Sequence, residues 1–364
     1  MPKCIPAMLT RSPLYWLLLL VPVAVLFNAM PLPAVWVLAV SSLAMIPLAG
    51  LIGEGTEALA VRTGPRVGGL LNATLGNAAE LIITIVAIRE GLLELVKASI
   101  TGSILGNILL VLGMSMIAGG LRHGRQTFDR RKGQGDSILL VLAVTALTIP
   151  SLFSQTVGGI VGTIPVEALS LGVAGLMLVI YVLGIFYALR DKEATLVRPS
   201  AETVVHHPGW PLRKALGVLA MSTFGVVWMS EILVSKVEPV VAGLGVSEFF
   251  LGVILVPIVG NVAEHLVAVT VAAKNQMSLS VEIAVSSSLQ IALFVVPVLV
   301  FLSLVLGNPL TLVFNRFELI ALIGGALITA LVASDGESNW LEGFVLLALY
   351  LMLALAFFLL PSPG

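Results

Sequence analysis

The sequence predicts an all-α integral membrane protein of about eleven transmembrane helices, built as an extra first helix followed by two inverted five-helix repeats. Three observations lead there. The chain is 58% hydrophobic and 11% charged, whereas a soluble domain carries about 25% charged residues. Its apolar residues fall into stretches near the length of about 20 that a bilayer span requires. The third is a duplication: Gly76-Asn77-Ala78-Ala79-Glu80-Leu81 recurs, nearly intact, as Gly260-Asn261-Val262-Ala263-Glu264-His265.

The same composition excludes other classes. The net charge is −1 over 364 residues, which gives no electrostatic footprint for nucleic acid. A single cysteine, Cys4, cannot form an internal disulfide. With four histidines and that one cysteine, a thiolate–imidazole zinc site is not expected. An intramembrane protease would need a Ser–His or paired-Asp arrangement at depth. The Asp residues (Asp129, Asp136, Asp191 and Asp335) fall in loops or near span ends, so an enzyme is not expected.

Taken in order, the candidate spans are 14–30, 34–60, 67–91, 93–119, 137–153, 161–189, 215–240, 246–273, 278–305, 311–333 and 340–360. Gly/Pro-rich or charged breaks separate most of them. With the N-terminus inside, fifteen Lys/Arg fall in cytoplasmic segments, and only Arg89, Lys97, Lys236 and Arg316 fall outside. This bias sets the orientation, and adding or removing one span would scramble it. The first span also has features of a signal peptide, with Lys3 and Arg11 before it and Ala29 near its end. Its long apolar run and the lack of a clear small-x-small site favour a retained helix.

Setting aside 1–33 with the extra helix, 34–189 and 215–364 each hold five spans, joined by a cytoplasmic linker at 190–214. An odd number of spans per half gives the halves opposite orientations. Thr101-Gly102-Ser103 follows the first motif and Ser286-Ser287-Ser288 the second. The offsets agree: 264 − 80 = 184 and 287 − 103 = 184.

A carboxylate deep in a membrane is expensive, and so marks a functional site by default. Glu80 and Glu264 each lie in the middle of an apolar stretch. Asn77 and Glu80 share a helix face, as do Asn261 and Glu264. The glycines at 68, 69 and 76, and the run Pro257 to Gly260, should kink their helices and free carbonyl oxygens, which are tolerated at depth where they line a cavity. Hydroxyls from Ser103 and Ser287 can complete the donor set, with Asn107 and Gln290 as weaker pore-lining groups. An all-oxygen site suits Ca²⁺, and two carboxylates balance one divalent charge. Metal binding needs the deprotonated carboxylates and releases their protons, so Ca²⁺ and H⁺ compete for one site, and its alternating exposure gives exchange. Na⁺ or Mn²⁺ exchange through the same groups stays open. No resident cofactor is expected, Ca²⁺ and H⁺ being the transported ions.

His265 replaces the counterpart Leu81 and is a candidate proton carrier or gate. Glu57 and Glu231 are candidates for proton coupling or gating, as an ion entry path or a Ca²⁺ sensor, whereas Glu54 reads better as a solvated helix end paired with Arg62 or Arg66. His206-His207 reads as a solvated linker pair. Asn339 and Glu342 have capping-box spacing and should start the last helix.

These motifs resemble the cation/proton exchanger family of the Ca²⁺:cation antiporter superfamily. The resemblance runs from about residue 54 to the end. It is carried by the stretches from Gly68 through Ile83, Lys97 through Asn107, Pro257 through His265, Ser286 through Phe294 and Asp335 through Gly343. It implies H⁺-driven Ca²⁺ efflux through a ten-helix inverted-repeat core plus an extra first helix. It makes Glu80 and Glu264 the ion-binding carboxylates, with Asn77, Asn261 and His265 as their immediate partners. The linker departs from the family pattern, carrying five Lys/Arg where a strongly acidic stretch is common. The bilayer is the expected environment, a bacterial plasma membrane with a cytoplasmic N-terminus the expected location, and a homo-oligomer is compatible with the sequence.

Overall fold

The structure, a computed structural model, describes residues 13–157, 163–190 and 210–360. The helices in chain order are α1 (Leu14–Ala29), α2 (Ala34–Leu75), α3 (Ala78–Arg89), α4 (Leu93–His123), α5 (Arg130–Thr156) and α6 (Ile164–Arg190). After the linker come α7 (Leu212–Leu244), α8 (Glu248–Ala272), α9 (Met277–Leu306), α10 (Arg316–Val332) and α11 (Trp340–Leu359). Among the described residues, eight helical stretches are long and apolar enough to cross a membrane. Helix α1, the α2–α3 return and α10 bring the set to the eleven spans expected.

The spans expected at 34–60 and 67–91 meet differently from the sequence reading. Helical hydrogen bonding continues through Leu75, and the interruption falls at Gly76 and Asn77. The chain nevertheless doubles back between Ala60 and Gly68. In a straight helix, eight residues span about 12 Å, yet a Cβ on Gly68 would fall 2.5 Å from the Ala60 carbonyl oxygen. Glycine permits this close backbone contact, and the apolar limb Ala34–Thr63 ends just before it.

Caps fix several termini. The Asp129 carboxylate accepts from the backbone N–H groups of Arg131 and Lys132 at the start of α5. Capping boxes start α10 (Asn315 with Glu318) and α11 (Asn339 with Glu342), the second as the spacing predicts. Gly245 and Gly307, at φ 68° and 82°, end α7 and α9. A short antiparallel pair, β1 (Gln126–Thr127) with β2 (Glu337–Ser338), ties the α4–α5 turn to the α10–α11 turn.

The polarity of the assembly is that of a multi-pass membrane protein. Large apolar side chains point outward, as at Met221, Val305 and Leu331, while Glu80, Asn107, Asn261 and Glu318 are buried. A carboxylate on the inside and leucine on the outside is favourable where hydrocarbon surrounds the protein. The main apolar core runs from α1 to α11.

A smaller cluster of Tyr15, Leu51, Ala58, Leu59, Trp210 and Ala215 joins α1, α2 and α7. The Tyr15 hydroxyl donates to Glu54. Arg62 does not follow the expected pairing with Glu54: its Nε and Nη2 donate to the Trp210 carbonyl oxygen at 3.1 and 2.6 Å. The Lys214 ammonium stands 4.6 Å from the Trp210 ring centroid. The carbonyl is a fixed acceptor that the guanidinium reaches, and Tyr15 already engages the carboxylate. The Arg66 side chain and His206-His207 lie outside the described residues.

Candidate ion-binding site

Three helix irregularities frame the centre of the molecule. The first is the break at Gly76–Asn77 between α2 and α3, which leaves Glu80 in the first turn of α3. The others are π-helical segments, Gly106–Val111 within α4 and Ile291–Val295 within α9. These two correspond under the repeat offset, since 107 + 184 = 291. A third π segment, Leu251–Leu255, lies in α8. The irregularity expected over Pro257 to Gly260 therefore falls one turn earlier, and Pro257 opens a regular helical segment. Pro257 lies inside the continuous helix α8, where the π segment before it accommodates the hydrogen bond that proline cannot donate. π segments concentrate at functional sites.

The two copies of the motif face each other. A Cβ on Gly76 would lie 3.6 Å from Glu264 Oε1, and one on Gly260 would lie 3.7 Å from the Glu80 Cβ. Each glycine thus sits beneath the other copy's glutamate. Asn261 Nδ2 donates to Glu80 Oε1 at 3.4 Å. On the other side, the Ser287 hydroxyl lies 3.0 Å from Glu264 Oε2 and 3.4 Å from Asn77 Oδ1, and donates to one at a time. Asn77 Nδ2 donates to Gln290 Oε1 at 3.0 Å. His265 Nε2 is 3.1 Å from Asn107 Oδ1.

This network is lopsided. Glu264, Ser287, Asn77 and Gln290 form a connected set. Of the expected site residues, three buried atoms have no hydrogen-bond partner among the described residues: Glu80 Oε2, Ser103 Oγ and Asn107 Nδ2. An unsatisfied buried polar atom costs about 1–3 kcal/mol, and two of these three are oxygens that a cation can use. The described ion pairs join Glu94 to Lys97, Glu337 to Arg125 and Glu282 to Lys132, and involve neither Glu80 nor Glu264. Glu80 is buried and Glu264 half-buried, and carboxylates so placed without a described lysine or arginine need protons or a bound cation to offset their charge. Among the described residues, no three His, Cys, Asp or Glu side chains gather, so a divalent ion here would depend on neutral oxygens as well.

Not every expected residue joins this set. Glu231 is exposed on α7 and Glu57 is half-buried on α2, and neither belongs to the hydrogen-bonded group just described. Glu318, outside the set of residues expected from the sequence, is fully buried at the start of α10. Its Oε2 accepts from the Asn315 backbone N–H at 2.7 Å, and its Oε1 from the Thr101 hydroxyl at 3.1 Å. The spacing of Asn315 and Glu318 is a readable capping-box signal; the partnership with Thr101 is not local. Close packing holds α4 against α8, where a Cβ on Gly102 would come within 2.0 Å of the Val253 carbonyl oxygen.

Residues 33–190 and 214–359 match the family described as sodium/calcium exchanger protein. A Ca(2+)/H(+) antiporter of Aphanothece halophytica is 41% identical over 374 residues, covering 97% of this chain and 98% of that protein. The Ca(2+)/H(+) antiporter ChaA of Bacillus subtilis (strain 168) is 43% identical, covering 93% and 97%. The solved structure of native YfkE superposes with a TM-score of 0.83 at 41% identity, covering 95% of this chain and all of the other. With its duplicated Gly-Asn-x-Ala-Glu motif brought face to face, the chain belongs to the sodium/calcium exchanger protein family, among its calcium/proton antiporters.

Proposed function

We propose that the chain is a secondary active antiporter that exports cytoplasmic Ca²⁺ in exchange for H⁺, by alternating access to one site shared by Glu80 and Glu264. The observation that carries this reading is the reciprocal approach of the two motifs, with both carboxylates lacking a described cationic partner. The names borne by the relatives support the same exchange.

In this reading Glu80 and Glu264 supply the charge, and Asn77, Asn261, Ser103 and Ser287 supply neutral oxygens. Ca²⁺ needs six to eight oxygens in flexible geometry, which two glutamates alone cannot give. Bound Ca²⁺ displaces the carboxyl protons, and protons loaded from the opposite side displace Ca²⁺. Coupling requires the two orientations to differ in their affinities for each ion. If both carboxylates exchange, at least two protons move per Ca²⁺. His265, held by Asn107, is placed to gate or relay protons beside Glu264. The inverted halves are 34–189 and 215–364, joined by a cytoplasmic linker at 190–214, in a bacterial plasma membrane with the N-terminus cytoplasmic.

The test is Ca²⁺ uptake into proteoliposomes under an imposed pH gradient. Uptake that collapses with a protonophore and disappears in Glu80→Gln and Glu264→Gln supports the reading. Gradient-driven uptake of Na⁺ or Mn²⁺ without Ca²⁺ would reassign the cargo, and Ca²⁺ uptake surviving either substitution would reassign the site.

A further inference from the structure

Helix α10 has two faces with different surroundings. One face seats the π segment of α4. A Cβ on Gly325 would come within 2.9 Å of Leu105 Cδ2 and 3.4 Å of Ile108 Cδ1. Four residues on, and so on the same face, Thr329 Oγ1 donates to the Ile108 carbonyl oxygen at 3.3 Å. The other face borders a groove of about 470 Å³ between α10 and α5. That volume lies within the range of about 300–1,000 Å³ typical of small-ligand sites.

Three features of the groove define what fits it. Its walls are apolar, with Leu152 on α5 and Ile320, Ile323 and Leu327 on α10, all exposed at the surface. The hydroxyls of Thr145 and Thr148, which also line it, are spent on the carbonyls of Val141 and Val144 in their own helix. Its length is that of one leaflet. From Arg316 to Leu327 α10 rises about 16 Å, against half of a hydrocarbon core about 30 Å thick. Its polarity is confined to one end, where α5 stops and α10 starts and where Gln155 and Arg316 stand. Arg316 is exposed, and among the described residues it has no hydrogen bond or ion pair. No aspartate or glutamate lines the groove, so nothing there would hold the ammonium of a choline or ethanolamine headgroup.

We propose that this groove binds one phospholipid with an anionic headgroup, its acyl chain lying between α5 and α10 and its phosphate on the Arg316 guanidinium. Guanidinium matches phosphate with paired donors, and the apolar walls match the chain. The lipid then bears on the outer face of the helix whose inner face holds the Asn107 segment, so it braces α10 against the candidate ion site without touching the ion.

The experiment is native mass spectrometry of the full chain in detergent, titrated with phosphatidylglycerol or phosphatidylcholine. Wild type should retain one phosphatidylglycerol at least tenfold more strongly than phosphatidylcholine. Arg316→Gln should abolish that preference, and Ile323→Trp, which fills the groove, should abolish retention. Equal retention of the two lipids by wild type, or an Arg316→Gln variant that still prefers phosphatidylglycerol, overturns the proposal. So does efficient disulfide cross-linking between chains through Ile320→Cys in a Cys4→Ser background, since a second copy would then occupy the face. If Ile323→Trp fails to fold, the Arg316→Gln comparison decides alone. Because the readout is lipid retention, the result stands whichever ion the protein transports.

Discussion

Gly76 lies against the carboxylate of Glu264, so the glycine of the first motif forms part of the wall around the acid of the second. The converse contact, Gly260 against Glu80, makes the walls mutual. A methyl at 260 meets the Glu80 Cβ at an ordinary 3.7 Å. Gly260→Ala should therefore fold and keep proton-driven Ca²⁺ uptake within about tenfold of wild type, a change of about 1.4 kcal/mol. Gly260→Leu should abolish uptake while eluting normally from a sizing column. Full activity in the leucine variant would show that this space does not hold the ion.

Ca²⁺ should stabilise the wild-type fold, because a ligand that binds only the native state adds about 2.7 kcal/mol at a hundred times its Kd. Thermal unfolding in detergent, with and without Ca²⁺, reads this directly. Glu80→Gln and Glu264→Gln should each lose the shift, and acidification should weaken it in wild type because protons compete for the same oxygens. An unchanged shift in both variants would place the ion elsewhere.

The lopsided network predicts opposite signatures for two matched serines. Ser287 already donates to Glu264 or Asn77, so Ser287→Ala should cost about 1 kcal/mol of stability as well as Ca²⁺ affinity. The Ser103 hydroxyl has no described partner. Ser103→Ala should leave stability unchanged or slightly raised and lower Ca²⁺ affinity alone. Denaturation curves beside Ca²⁺ titrations separate the two effects.

Thr329 ends a bond to a carbonyl inside a π segment, a place where water is scarce. Thr329→Val keeps the shape and removes the donor, while Thr329→Ser keeps the donor. The valine variant should raise the KM for Ca²⁺ several-fold with expression intact, corresponding to about 1 kcal/mol, and serine should restore it. Equal kinetics in both would confine Thr329 to packing.

Gly102 marks the closest crossing of α4 with α8. Gly102→Ala should destabilise by roughly 1–3 kcal/mol or more through overpacking, seen as a lower melting temperature without Ca²⁺. An unshifted melting temperature would mean that the helices can separate there without cost.

The sequence made the duplicated acids legible because two strong signals coincide: a charge inside an apolar stretch and a shared offset of 184 residues. The Asn339–Glu342 start of α11 was equally legible, because a capping box is written within four residues. What stayed hidden depends on distant partners or on backbone geometry. Glu318 meets Thr101, 217 residues earlier in the chain. The π segments in α8 and α9 each end two residues before a proline, Pro257 and Pro297, but that proline marks the turn after the irregularity and not the irregularity itself, and the segment in α4 has no proline after it. Hydropathy marked the reversal after Ala60 but could not show that helical bonding persists through it. Sequence proximity pairs Arg62 with nearby acids, whereas its partner is a backbone oxygen 148 residues away.

That partner's being main chain has a consequence of its own. A carbonyl oxygen is present whatever side chain stands at position 210, so this clasp between α2 and the end of the linker is immune to drift at one of its two ends. Replacement of Trp210 can erode the surrounding apolar contacts, yet the keeper remains. Position 62 is therefore the end of this fastening at which a side-chain change removes the hydrogen-bonding group itself.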